Sequence, residues 1–224
     1  MTNISINVVG VGTETYPSGT TPLQILSSTK GASKETIICK VDKVLTDLSV
    51  QLDCDCTVQF LDGKSKDGHN VLLHSTAHLM AQAVKRLYPK TKVTIGPFLE
   101  NRFYYDFDVE TPFTDEDLLK IEGEMLKISK ENIDITHAIK SREEALKFFK
   151  NIGEDYKIEI INDLDDSEVL KVYAQGDFTD LCRGPHVQST GMIKYFKLLS
   201  SSAAYWRGDE NNQTLQRVYG TSFT

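Results

Sequence analysis

Apolar and polar positions along the chain alternate first with strand-like and then with helix-like periods, and the order divides it into two regions. "ISINVVG" (4–10) alternates apolar and polar residues, which predicts a strand running into Gly10 and Gly12. In "YPSGTTPLQIL", Ser18-Gly19 reads as a turn. Thr21-Pro22 reads as a helix start, Thr at the N-cap and Pro at the first helical position. "TIICKVD" (36–42) and "CTVQFLD" (56–62) are short, β-branched and strand-like. One helix among short strands over residues 1–65 predicts a small α+β module. The polar, turn-rich "DGKSKDGHN" (62–70) predicts its boundary.

The second region opens with a helix predicted over 71–88 and stopped by Pro89. At about 100° per residue, Leu72, Leu73, Thr76, Leu79, Met80, Ala83, Val84 and Leu87 make one broad stripe. His74 and His78 fall on the opposite side with Ala81 and Lys85. "FYYDFDV" (103–109) alternates strictly, with Phe103, Tyr105, Phe107 and Val109 on one face and Tyr104, Asp106 and Asp108 on the other. A helix from Thr114 repeats Leu118, Ile121, Met125 and Ile128. Another starts at Ser141, where Glu144 completes a capping box, and ends by Gly153. Strand-like runs follow at 156–161, 168–174, 195–199 and 215–219. A larger α+β domain over 66–224 accounts for them, so the chain reads as α+β throughout.

Composition narrows the class. Hydrophobic residues make up 40% of the 224 and charged ones 25%, as in ordinary globular proteins. No apolar run approaches the ~20 residues of a bilayer helix, and "MTNISINVVG" lacks the pattern of a signal peptide. Cys39, Cys54, Cys56 and Cys182 have no disulfide-framework spacing, so a cytoplasmic protein with reduced thiols is expected. A net charge of −7 argues against non-specific coating of nucleic acid. Lys194, Lys197, Arg207 and Arg217 give the last part of the chain a local basic bias that the sum hides.

Two spacings carry chemistry. "HSTAH" sets His74 and His78 four apart on one helix face, where two imidazoles can converge on a small target. "CRGPH" sets Cys182 and His186 four apart in what Gly184 and Pro185 make a loop, with Asp180 just before it. One thiol and three imidazoles are a fair set for tetrahedral zinc. They equally suit a metal-free catalytic pocket, or two unrelated structural features. "HSTAH" lacks the Glu that a zinc protease needs as base. Lys157 alone reads as a surface lysine. The segment "AYWRGDENNQTLQRVYG" (204–220), with the only Trp, reads as a packed hairpin.

Taken together, "HSTAHLMAQAVKRLYP", "IGPFLENRFYYDFD", "DFTDLCRGPHV" and "AYWRGDENNQTLQRVYG" resemble the N-terminal half of threonyl-tRNA synthetases. Residues 1–65 are similar to the β-grasp, ubiquitin-like TGS domain of that family. Residues 66–224 are similar to its editing domain, a fold shared with alanyl-tRNA synthetases. Two positions depart from the family pattern: Arg102 and Ala203 stand where Gly is usual. The family's class II core and anticodon-binding domain would follow residue 224. The resemblance therefore implies neither threonine activation nor tRNA charging by this chain, and ATP, a zinc ion and the homodimer contact belong to the absent core. An excised fragment is expected, with a free-standing protein as the alternative.

The implied reaction is hydrolysis of mischarged seryl-tRNA(Thr). A single methyl discriminates by only ~1–3 kcal/mol, so a threonine-charging site admits serine and a second pocket must remove it. By this resemblance His74 is expected to activate water, with Lys157 as its partner. Asp180 is expected to hold the substrate's amino or hydroxyl group. His78, Cys182 and His186 are expected to line the pocket, and Tyr104 to close one side. The alanyl relatives are associated with a metal at this constellation and the threonyl ones edit without it, so no cofactor is expected. Zinc held by His74, His78, Cys182 and His186 is the alternative. The expected partner is the aminoacylated 3′ end of tRNA(Thr). The competing reading is a non-catalytic tRNA- or partner-binding module with a vestigial pocket.

Overall fold

The computed structural model describes residues 2–29 and 35–224. Strands β1 (Asn3–Val8), β2 (Gly12–Pro17), β3 (Thr36–Val41), β4 (Val44–Thr46) and β5 (Cys56–Asp62) form one sheet in the order β2-β1-β5-β3-β4, with β1 and β5 parallel. Helix α1 (Pro22–Ser28) starts where Thr21 and Gln24 close a capping box. Its Ile25 joins Ile4, Ile6, Val8, Leu48, Leu52 and Val58 in a small core of their own.

Helix α2 (Lys66–Leu87) begins five residues earlier than its apolar pattern predicts. Asp62 accepts the amides of Lys64 and Ser65, and Ser65 Oγ accepts the amide of Gly68. Part of the polar run read as a boundary loop is thus the capped first turn of a helix. Nearly every residue from Val71 to Val84 is buried. The side of α2 opposite the apolar stripe, which carries His74 and His78, therefore faces protein: a helix packed all round is interior.

Around α2 lie α3 (Asp115–Glu131) and a second sheet. That sheet contains β6 (Lys92–Val93), β7 (Phe98–Leu99), β8 (Arg102–Asp108), β12 (Tyr195–Tyr205) and β13 (Thr214–Phe223). Phe103, Tyr105 and Phe107 on one face of β8 join Leu79, Met80, Ile121, Met125 and Val218 in the main core. Side chains of this size each stabilise by roughly 1.5–3 kcal/mol when buried. Ile37 and Ile38 of β3 belong to this core too, and Leu61 of β5 packs against it, so the first sheet is cemented to the rest.

A third sheet, β11-β10-β9, joins β9 (Ile135–Lys140), β10 (Leu170–Gln175) and β11 (Phe178–Leu181). Helix α4 (Arg142–Asn151) has the predicted Ser141/Glu144 capping box. Residues 156–161, read as a strand, belong instead to helix α5 (Asp155–Asp163). The reason is spacing. Tyr156 and Ile160, four apart, pack at Trp206, while Lys157 and Ile161 on the adjacent strip turn inward. β12 and β13 form the expected hairpin around Trp206. No helix among the described residues is long and apolar enough to cross a membrane.

Candidate active site

The two spacings meet. From α2 come His74 and His78, and from the loop after β11 come Cys182 and His186. One donor atom from each of the four lies within 4.8 Å of the others. Cys182 Sγ is 3.3 Å from both His74 Nε2 and His186 Nε2, and it accepts the Gly184 amide at 3.2 Å. The ring centres of His78 and His186 are 4.3 Å apart. Ser75, one turn position along α2, contacts His186 Nδ1 at 2.9 Å and accepts the Val187 amide at 3.1 Å.

Burial sets the charge states. Desolvation holds His74 down to about 4, against a smaller upward pull from Asp180. His78 and His186 are held well below the ordinary histidine value by burial, and neighbouring imidazoles lower them further. Burial and the Asp180 charge push the Cys182 thiol up to about 12. At neutral pH the site therefore contains three uncharged imidazoles and one protonated thiol. The thiol has a single proton for two imidazoles, so it donates to one and accepts from the other.

A second buried group lies beside the first. Lys157, 1% exposed, and Asp180, 2% exposed, form an ion pair at 2.5 Å. The approach angle lies outside hydrogen-bond geometry, so Asp180 Oδ1 is matched by charge rather than by a directed hydrogen. The Lys157 ammonium also donates to Thr94 O and to the Tyr105 hydroxyl. Tyr105 in turn donates to Asp180 Oδ2 at 2.6 Å, and His78 Nε2 lies 3.6 Å from that oxygen. His78 thus bridges the imidazole–thiol cluster and the ion-paired one. Gly96 leaves room for this: the Tyr105 ring occupies the space a Cβ would need.

Access is uneven. His78, His186, Asp180, Lys157 and Tyr105 are buried, whereas His74 and Cys182 are crowded yet keep an edge open to solvent. The half-exposed Phe98 ring stands 6.1 Å from His74. A surface groove of about 910 Å³ lined by Tyr88, Lys90, Phe113 and Gln213 includes none of these residues.

Two expectations change. Tyr104 does not border the cluster. It lies on the other face of β8, under the Arg217 guanidinium at 3.9 Å and beside Tyr219. Strand alternation sends Tyr105 to the cluster instead, on the face that reads as pure core. Asp180 lies buried behind the cluster rather than at its edge, ion-paired with Lys157 through Oδ1 and accepting the Tyr105 hydroxyl through Oδ2. Tyr105, Ser75 and Thr94 escape sequence reasoning. The only signal for Tyr105 was a hydroxyl within an apolar stripe. Three of the four cations behind the basic bias of the last residues are ion-paired within the chain: Lys197 with Glu122, Arg207 with Asp163, and Arg217 with Asp106.

The four donors fit a tetrahedral metal in kind, and neutral imidazoles are ready ligands. The thiol would first have to lose its proton. With all four donors engaged, zinc would have the closed coordination of a structural site and no place for water.

Comparison with known proteins places these residues among relatives. Residues 170–219, which include Asp180, Cys182 and His186, match the model of the threonyl and alanyl tRNA synthetase second additional domain. The chain is 50% identical over all of its 224 residues to a threonine–tRNA ligase from Pelobacter propionicus, of which it spans 35%. It is 55% identical over 191 residues, 85% of its length, to the one from Maridesulfovibrio salexigens, of which this covers 30%. It is 50% identical over 209 residues, 93% of its length, to the one from Symbiobacterium thermophilum, covering 32% of it. This chain is thus similar, over most or all of its length, to about a third of the threonine–tRNA ligases, and the segment bearing half of its clustered imidazole–thiol set matches the second additional domain of threonyl and alanyl tRNA synthetases.

Proposed function

We propose that this chain hydrolyses a misplaced seryl ester from the 3′ end of tRNA(Thr), as the editing part of a threonyl-tRNA synthetase. The observation that carries the reading is the juxtaposition of one solvent-edged neutral imidazole, His74, with a buried assembly that fixes it. His74 orients a water and takes its proton as the oxygen attacks the ester carbonyl. It then returns that proton to the ribose oxygen as the tetrahedral intermediate collapses and the ester C–O bond breaks, leaving serine and the free tRNA hydroxyl. Cys182, 3.3 Å from His74 Nε2, and the His186 ring, 4.5 Å away, restrain the orientation of the His74 ring. Lys157 donates to Thr94 O and the Tyr105 hydroxyl and is ion-paired with Asp180, so this lysine positions Asp180, Tyr105 and through them His78, rather than taking a proton itself.

The reaction as proposed uses no cofactor. The mutual hydrogen bonds of Cys182, His74 and His186 support this, since the donors satisfy one another. Were zinc bound, His74, His78, Cys182 and His186 would hold it, and it would supply Lewis acidity only if one of the four donors gave up its place to water or substrate. We further propose that residues 1–65 form a β-grasp, TGS-like module, supported by the central parallel β1–β5 pair and α1. Threonine activation with ATP and dimerisation are assigned to sequence beyond this chain, and the setting to the cytoplasm.

The test is deacylation of seryl- and threonyl-tRNA(Thr) by this chain, with metal analysis of the same preparation. Release of serine in preference to threonine, lost by ~10²–10⁴-fold in a folded His74→Ala chain, is the expected result. Equal rates for both esters, or a fully active His74→Ala chain, would overturn the assignment. Zinc is expected well below one per chain, and loss of activity on chelation would replace the metal-free mechanism. A chain that binds tRNA without hydrolysis would favour a binding module.

A further inference from the structure

One buried carboxylate from the first sheet reaches the site. Asp47 follows β4 directly and is 6% exposed. Its Oδ1 accepts the backbone amide of His186 at 3.0 Å, and its Oδ2 accepts the Tyr173 hydroxyl at 2.8 Å. Lys171 Nζ and His137 Nδ1 stand 3.7 and 3.8 Å from Oδ2. The Tyr173 ring meets the His186 ring edge to face at 4.6 Å. That same ring underlies Gly184, where a Cβ would strike it. The loop carrying Cys182 and His186 therefore rests on two groups, Asp47 and Tyr173, and each holds the other.

A buried carboxylate is costly unless matched, and this one is matched by an amide, a hydroxyl and a nearby ammonium. Those partners lie on the third sheet and on the site loop, none in the first sheet's own core. The bond to the His186 amide fixes the backbone from which its imidazole reaches Cys182 and Ser75.

We infer that Asp47 is a positioning residue of the candidate active site, so that the first 65 residues complete the pocket they were expected only to precede. The inference rests on the hydrolytic reading for its kinetic consequence, but not for its structural one. Misplacing a reacting group by about 1 Å costs ~10²-fold in rate, and Asp47 sets the loop at that scale.

The experiment compares Asp47→Ala, Asp47→Asn and Tyr173→Phe in the full chain. Seryl-tRNA(Thr) deacylation is read as kcat and KM, and the His186 backbone amide and ring nitrogens are followed by NMR. Asp47→Ala should lower kcat by ~10²-fold with KM little changed. Asp47→Asn keeps an acceptor for the amide and should recover most of that loss. Tyr173→Phe should fall between. The His186 signals should move in Asp47→Ala and return toward wild type in Asp47→Asn. A purely structural Asp47 would lower the melting temperature while leaving kcat of the folded chain and the His186 signals alone, and that result overturns the inference. If Asp47→Ala does not fold, Tyr173→Phe decides by the same measurements, and unmoved His186 signals with unchanged kcat in that variant refute it. A wild-type chain with no hydrolysis refutes the proposed function, and the NMR comparison still decides the role of Asp47.

Discussion

At residue scale, adjacent tyrosines have opposite surroundings. Tyr105 links Asp180 Oδ2 to the Lys157 ammonium inside the protein, whereas Tyr104 lies under Arg217 on the far face of the same strand. Removing the Tyr105 hydroxyl leaves a buried carboxylate oxygen short of a donor, which costs about 1–3 kcal/mol. The same deletion at Tyr104 breaks no hydrogen bond to a buried group. Tyr105→Phe should therefore lower both the melting temperature and seryl-ester hydrolysis, while Tyr104→Phe leaves both near wild type. Paired melting curves and deacylation rates measure the contrast. An equal loss in both variants would mean that the tyrosines act through the strand rather than through the hydroxyl.

At the scale of elements, what was legible in the sequence follows from how local each signal is. The starts of α1, α3 and α4 were readable because their signals are local, Thr21-Pro22, Thr114 and the Ser141/Glu144 capping box, and the structure closes a capping box at the first two as well. Helix α5 was not, because "YKIEII" suits either period and only its packing against Trp206 and inward toward the Lys157 site decides between them. The four imidazole and thiol groups were readable as two spacings, and they converge. Asp47 was not readable, since nothing near it in sequence shows that it faces a loop 139 residues away. That loop gives the element-scale prediction. Gly184 has φ +68°, where any other residue is strained, and a Cβ there would strike Tyr173. Gly208 has φ +71° with open space around it. Both Ala variants should lose a similar ~1–2 kcal/mol to backbone strain. Only Gly184→Ala should displace the loop and lose most hydrolysis. If Gly208→Ala is equally inactive, strain alone explains the effect.

Across the whole molecule, three neutral buried histidines make stability depend on pH. His74 is held down to about 4 by burial, and His78 and His186 lie lower than their ordinary value for the same reason. In the unfolded chain each would titrate near 6.5. As pH falls below that value, the unfolded chain takes up protons that the folded one refuses, so stability falls toward acid and rises toward neutrality. Each histidine contributes a slope of up to about 1.4 kcal/mol per pH unit in that window. Denaturant unfolding between pH 7.5 and 5 should show the decline, and His78→Gln should remove about one proton of it. An unchanged slope in His78→Gln would mean that His78 is charged in the folded protein. The ion pairs of Lys197, Arg207 and Arg217 have a different kind of consequence. With these three cations paired on a chain of net charge −7, a polyanion drifting past in dilute solution meets little long-range attraction. On the proposed function, capture of the tRNA would fall to contacts outside the pocket, with only its aminoacylated tip entering. The pocket would thereby rely on the high local concentration of a tethered reactant rather than on affinity of its own.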